Sequence, residues 1–60
     1  MELKTPSEIL EENPELKAVW NVRELGYLLM LKLVRGRKGH RTSYLNVNDV
    51  KAVYELVKIQ

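Results

Sequence analysis

The chain has no cysteine, which excludes a disulfide framework and any thiolate metal site as staples for the fold. It also lacks a long apolar run. The longest aliphatic stretch, Leu28 to Leu31, has four residues, against roughly 20 for a membrane-spanning helix. The opening Met1-Glu2-Leu3-Lys4 has neither the apolar segment nor the cleavage site of a secretory signal, so the expected location is the cytoplasm. Histidine occurs once, as His40, and without cysteine or a neighbouring carboxylate it makes no metal-ligand set. His40 and Ser43 have no third member to complete a nucleophilic triad. Glu8 and Glu12 are one helical turn apart, a spacing that on a short surface helix reads as a solvated face. There is no glycine-rich phosphate loop, and 60 residues leave little chain for a catalytic cleft. The expectation is a non-enzyme with no cofactor, no metal and no small-molecule substrate.

What the chain does have is a globular composition, 45% hydrophobic against 30% charged, enough apolar surface to offset chain entropy. Its length allows one domain, residues 1–60, which at this size buries only about 60% of the surface its unfolded form exposes. Such a core must be tightly packed or completed by a partner. The net charge of +2 hides a polarity. Residues 1–30 hold three basic against six acidic side chains, residues 31–60 seven against two, and no acid occurs between Glu24 and Asp49. One part of the molecule is therefore suited to a polyanion; the alternative is a solvated hairpin whose Lys and Arg guard an edge strand.

Helix punctuation is legible throughout. Thr5-Pro6-Ser7-Glu8 combines a cap hydroxyl, a proline at the first helical position and a glutamate three residues past the cap, predicting a short helix to about Glu12 with Ile9 and Leu10 inward. Asn13-Pro14 stops it and predicts a second helix to about Trp20 that buries Leu16, Val19 and Trp20. Asn21-Val22-Arg23-Glu24 is another capping box, opening a third helix over 22–31 with Val22, Leu25, Leu28 and Leu29 facing a core. Gly26 weakens that helix by about 1 kcal/mol relative to alanine and suggests a close backbone contact. Leu33 to Arg37 and Thr42 to Leu45 read as strands joined by a turn holding Lys38-Gly39-His40-Arg41. Asn46-Val47-Asn48-Asp49 caps a last helix with Val50, Val53, Tyr54 and Val57 as its apolar stripe. Trp20 and Tyr54 are the expected core anchors. The predicted class is α+β, mostly helical: three N-terminal helices, a two-stranded hairpin and a C-terminal helix.

With that order established, Asn21-Val22-Arg23-Glu24-Leu25-Gly26-Tyr27-Leu28-Leu29-Met30-Leu31-Lys32-Leu33-Val34 resembles the recognition helix and following turn of MerR-type regulators. Arg35 to Leu45 looks like the wing of that family, one residue shorter, and Asn46 to Val57 is similar to the helix after the wing. Small excisionases share the scaffold. The resemblance covers about residues 21–57 and implies a winged helix-turn-helix that binds double-stranded DNA as a transcription regulator or excisionase-like accessory factor. Arg23, Tyr27, Arg37 and Arg41 match positions the family uses on DNA. Gly26 stands where the family often has arginine, Leu28 replaces the second aromatic, and Lys32 replaces a turn glycine. No long dimerisation helix or effector domain follows, so an effector-sensing regulator is not expected.

The expected nucleic-acid site comprises Arg23, Tyr27, Lys32, Arg35, Arg37, Lys38, His40 and Arg41, with helix 22–31 toward the major groove and the basic hairpin 35–45 along the backbone. Arg23 is placed to pair with guanine, and Tyr27 to touch phosphate or a thymine methyl. The other reading of these two is structural, Arg23 paired with Glu24 or Glu8 and Tyr27 packed on the hairpin. A lone domain this small reads few base pairs, so a homodimer or cooperative array is expected. The rival function is a protein-interaction adaptor or dimerisation module on the same scaffold, using apolar surface around Met30 and Leu31. RNA shares the chemistry of the basic hairpin and stays open as a partner.

Overall fold

Two reciprocal capping boxes set the start of the first two α-helices. The computed structural model describes residues 2–59. Its elements in chain order are β1 (Leu3–Lys4), α1 (Pro6–Glu12), a 3-10 helix (Pro14–Ala18), α2 (Val22–Met30), β2 (Gly36–Lys38), β3 (Ser43–Asn46) and α3 (Val47–Ile59). At α1 the Glu8 amide donates to Thr5 Oγ1 at 3.3 Å while the Thr5 amide donates to Glu8 Oε1 at 3.1 Å. The Thr5 amide, and then the Thr5 hydroxyl that also donates to Glu8 Oε1 at 3.1 Å, hold the Glu8 carboxyl below its ordinary pKa. At α2 the Glu24 amide donates to Asn21 Oδ1 at 2.8 Å and the Asn21 amide to Glu24 Oε1 at 3.0 Å. Each box satisfies two N-terminal donors that a bare helix leaves unpaired.

The result is a small mixed α/β fold, mostly helical, with three α-helices and a three-stranded antiparallel sheet of order β1-β3-β2. This corrects the expected order of three helices, hairpin and helix in two places. The segment after Pro14 is a 3-10 helix: the Leu16 amide donates to the Asn13 carbonyl and the Val19 amide to the Leu16 carbonyl, both at 3.0 Å. Between a proline and the next cap at Asn21 there is too little chain to repay α-helix nucleation. The second difference is β1, which pairs Leu3 with Asn46 and Lys4 with Leu45. Two residues carry no readable periodicity, so only the pairing with β3 reveals that strand. Lys4 is tied to α1 by an ion pair with Glu12 and also meets Glu2 at 3.4 Å. The Glu12 bond leads in raising the Lys4 pKa.

β3 is the centre of the molecule. It contacts α1, α2 and α3 as well as both flanking strands, and Leu45 on it is fully buried. Around it lie Ile9, Leu10, Leu16, Trp20, Leu25, Leu28, Val34 and Val50. Trp20 meets the partly buried Tyr54 edge-on, centroids 6.2 Å apart and planes at 65°, a favoured aromatic geometry. Val22 and Val57, expected in the core, are instead 49% and 41% exposed. Val22 is the first residue of α2, before the helix has turned onto the core, and Val57 lies in the last turns of α3, past the reach of the sheet. The one buried polar residue among the described residues is Asn46: its side-chain Oδ1 accepts the Asp49 amide at 3.0 Å and caps α3, and its backbone N–H donates to the Arg35 carbonyl at 2.8 Å.

Candidate nucleic-acid interface

α2 buries Leu25 and Leu28. The opposite face follows from the helical angle of 100° per residue: Arg23, Tyr27 and Met30, at i, i+4 and i+7, form one outward stripe. All three are exposed, Tyr27 by 47% and Met30 by 71%. Arg23 has no carboxylate within 4 Å among the described residues, so the expected alternative pairing with Glu24 or Glu8 is not formed. The helix ends one residue earlier than expected, at Met30. The Lys32 amide donates to the Leu29 carbonyl at 3.0 Å and the Leu33 amide to the Leu28 carbonyl at 2.9 Å, the bond pair of a Schellman cap. That cap needs a left-handed residue, and Lys32 supplies it at φ 62°. The strained residue is thus the one standing where the MerR-like pattern has glycine.

Gly26 was expected to permit a close contact inside the fold. It does not: a Cβ there would meet nothing within 4 Å. Its missing side chain instead opens a groove of about 290 Å³ between α2 and the hairpin, with Gly26, Leu29 and Met30 on one wall and Gly36, Arg37, Lys38 and Ser43 on the other.

β2 is shorter than expected and lies nearer the tip, while β3 keeps its four residues but runs one place later, over Ser43–Asn46. β2 pairs Gly36 with Leu45, Arg37 with Tyr44 and Lys38 with Ser43, and the Gly39 amide donates to the Thr42 carbonyl at 2.7 Å, leaving His40 and Arg41 exposed at the tip. Two glycines make this geometry possible. A Cβ on Gly36 would lie 2.1 Å from the Tyr44 carbonyl oxygen, and one on Gly39 would lie 2.4 Å from Tyr44 Cε2. The Tyr44 ring therefore lies against Gly39, and the Arg37 guanidinium sits 5.4 Å from its centroid, within the range of a cation–π contact. Sequence reasoning missed Tyr44 as the platform for Arg37, because a turn over residues 38–41 pairs Arg37 with Thr42; the observed register is the signal that identifies it.

Arg35 and Arg37, both expected on the basic hairpin, part company. Arg35 precedes β2 and turns to α3, where its Nε and Nη2 donate to Asp49 Oδ2 and Oδ1 at 2.8 and 3.0 Å. Its amide donates to the same Oδ2 at 2.9 Å. These bonds hold the Asp49 carboxyl down at about 2 and raise the Arg35 pKa. The cations with ion pairs within 4 Å are Lys4, Arg35 and Lys58; Lys32, Arg37, Lys38 and Arg41 have none among the described residues. The structure thus brings Arg37 and Lys38 to the groove beside α2, puts His40 and Arg41 at the tip and Lys32 at the foot of α2, and ties Arg35 to Asp49.

Among the described residues, no three His, Asp or Glu side chains are grouped to hold a metal ion, and no helix is long and apolar enough to cross a membrane. Comparison with protein-family models, curated proteins and solved structures returns no match.

Proposed function

We propose that the chain is a small DNA-binding accessory protein of the winged helix-turn-helix kind, acting on double-stranded DNA as a transcription regulator or excisionase-like factor. The single observation that carries this reading is the groove between α2 and β2. Its hairpin wall holds Arg37 and Lys38, and among the described residues no acid lines it and neither cation is ion-paired. A helix face beside a strand pair bearing free cations has the layout needed to put one element in the major groove and the other on the phosphates. In support of the reading, α2 is followed by a hairpin and then α3, and Lys32 is left-handed where the resemblance has a turn glycine; the 3-10 helix and β1 depart from the expected scaffold.

The test is fluorescence anisotropy of the protein with a labelled duplex of about 20 base pairs across a salt series. Log affinity falls with log salt at about −0.9 per phosphate neutralised, so four contacts from Lys32, Arg37, Lys38 and Arg41 give a slope of roughly −4. Arg37→Ala/Arg41→Ala should lower its magnitude by about two. No binding at low salt would overturn the proposal, and a matched RNA duplex in the same series separates the two nucleic acids by their relative affinity.

A second reading rests on a different observation. Leu31 and Leu33, flanking Lys32 below α2, are 66% and 55% exposed, a small apolar patch suited to a homodimer or protein partner. Light scattering of wild type against Leu31→Glu/Leu33→Glu tests it: an oligomer that the double variant splits supports a protein contact there, and a monomer in both removes the homodimer.

A further inference from the structure

We infer that α2 selects duplexes in which a guanine lies about three base pairs from a thymine along one major groove, Arg23 taking the guanine and Tyr27 and Met30 the thymine methyls; the inference rests on the reading of the chain as a duplex-DNA binder. The outward stripe of α2 carries a single charged hydrogen-bonding group, Arg23, whose planar fork matches the two acceptors on the guanine edge. The groups suited to adenine or cytosine are missing from that face. There is no Gln on α2. The Asn21 side chain accepts the Glu24 amide, and the Glu24 carboxylate accepts the Asn21 amide, so both are engaged in the cap. Glu24 also lies 100° around the helix from Arg23.

What remains beyond Arg23 is apolar. Tyr27 and Met30 hold 47% and 71% exposure on that face. The thymine methyl is the only apolar group on the major-groove edge of a base pair, and contact with it is how apolar side chains read sequence. The spacing suits this: at 1.5 Å per residue, Arg23 and Met30 are about 10 Å apart along the axis, or about three steps of 3.4 Å along one strand. The occupant is identified by charge as well, because Met30 also lines the groove whose other wall is Arg37 and Lys38. An apolar stripe for a protein partner has no need of cations beside it, whereas a duplex groove is bordered by phosphates.

The experiment is selection of protein-bound duplexes from a pool with a randomised core, followed by anisotropy on the enriched duplex with thymine replaced by deoxyuridine. Enrichment of a G·C pair with a thymine about three steps away is expected, and loss of one contacted methyl should weaken wild type about fourfold, the worth of one buried carbon. Tyr27→Ala/Met30→Ala should bind thymine and deoxyuridine duplexes alike. Arg23→Ala should lose the guanine requirement, about tenfold in affinity, and keep the methyl dependence. Salt-dependent binding with no enriched motif, or with no response to methyl removal, overturns this inference and leaves duplex binding standing. Failure of wild type to retain any duplex at low salt overturns both. The deoxyuridine comparison on wild type needs no variant, so it reads out whether or not the substituted chains fold.

Discussion

Asp49, on the first turn of α3, accepts three hydrogen bonds from one residue, Arg35: the backbone amide at 2.9 Å and two guanidinium nitrogens at 2.8 and 3.0 Å. The pair fastens the base of the hairpin to the last helix across 14 residues of chain. It also removes one arginine from the basic array, so the charge available to a polyanion comes from Lys32, Arg37, Lys38 and Arg41.

The first prediction concerns pH. The Asp49 carboxyl is held at about 2, below its ordinary value of 3.8, by the Arg35 side-chain bonds and then by its amide. A carboxyl whose folded pKa is depressed contributes stability that is complete above the unfolded value and is lost as pH falls through the folded one. Unfolding midpoints measured from pH 5 down to pH 2 should fall most steeply between about 4 and 2. Asp49→Asn should flatten that part of the profile and lower the midpoint at neutral pH. An unchanged profile in the variant would mean the pair contributes nothing.

The second concerns the two arginines of the hairpin. Arg35→Ala should lower the thermal midpoint and leave the salt slope of duplex binding near that of wild type, because its charge is already paired. Arg37→Ala should do the reverse, lowering the slope by about one unit with little change in midpoint. Calorimetry and anisotropy on the same samples check both. Equal loss of slope in the two variants would show that Arg35 leaves Asp49 for the phosphates.

The third concerns Lys32. A left-handed backbone costs a residue with a Cβ about 1–2 kcal/mol, part of which glycine gives back through its freer unfolded chain. Lys32→Gly should therefore stabilise the fold by about 0.5–1 kcal/mol, or several degrees in midpoint for a domain of this size. It should also lower the salt slope of duplex binding by about one unit, so stability and affinity move in opposite directions.

The fourth sets two glycines against each other. Gly26→Ala adds a methyl to open space on α2 and should stabilise by about 1 kcal/mol through helix propensity. Gly36→Ala drives a methyl into the Tyr44 carbonyl oxygen, forcing β2 off β3, and should cost about 2 kcal/mol or more. Denaturant midpoints of the two single variants, moving in opposite directions, are the check.

How far the residues alone foretold this molecule depends on the range of the interaction involved. The caps at Thr5 and Asn21, the stop at Asn13-Pro14 and the inward faces of α1 and α2 are matters of three or four neighbouring residues, and local chemistry determines them. Helix count was less legible, because an α-helix and a 3-10 turn of five residues share the same start signal and differ only in whether enough chain follows to propagate. Val22 and Val57 fit apolar stripes, yet a stripe fixes direction around a helix and says nothing of where along it the core ends.

The candidate site divides in the same way. Composition and order along the chain determined that the basic residues cluster after Leu31, that none has an acid beside it in sequence, and that Arg23 and Tyr27 share a helical face. Only the tertiary structure decided which cations stay unpaired. Asp49 is 14 residues from Arg35, and it is the direct passage of β3 at Asn46 into α3 at Val47 that brings its carboxylate to the hairpin. Tyr44 became the support for Arg37 through strand register, and Gly26 became the opening of a groove only when β2 came to lie beside α2. Charge, capping and periodicity are local properties carried by neighbours in the chain, whereas pairing and free space depend on packing between segments far apart in it.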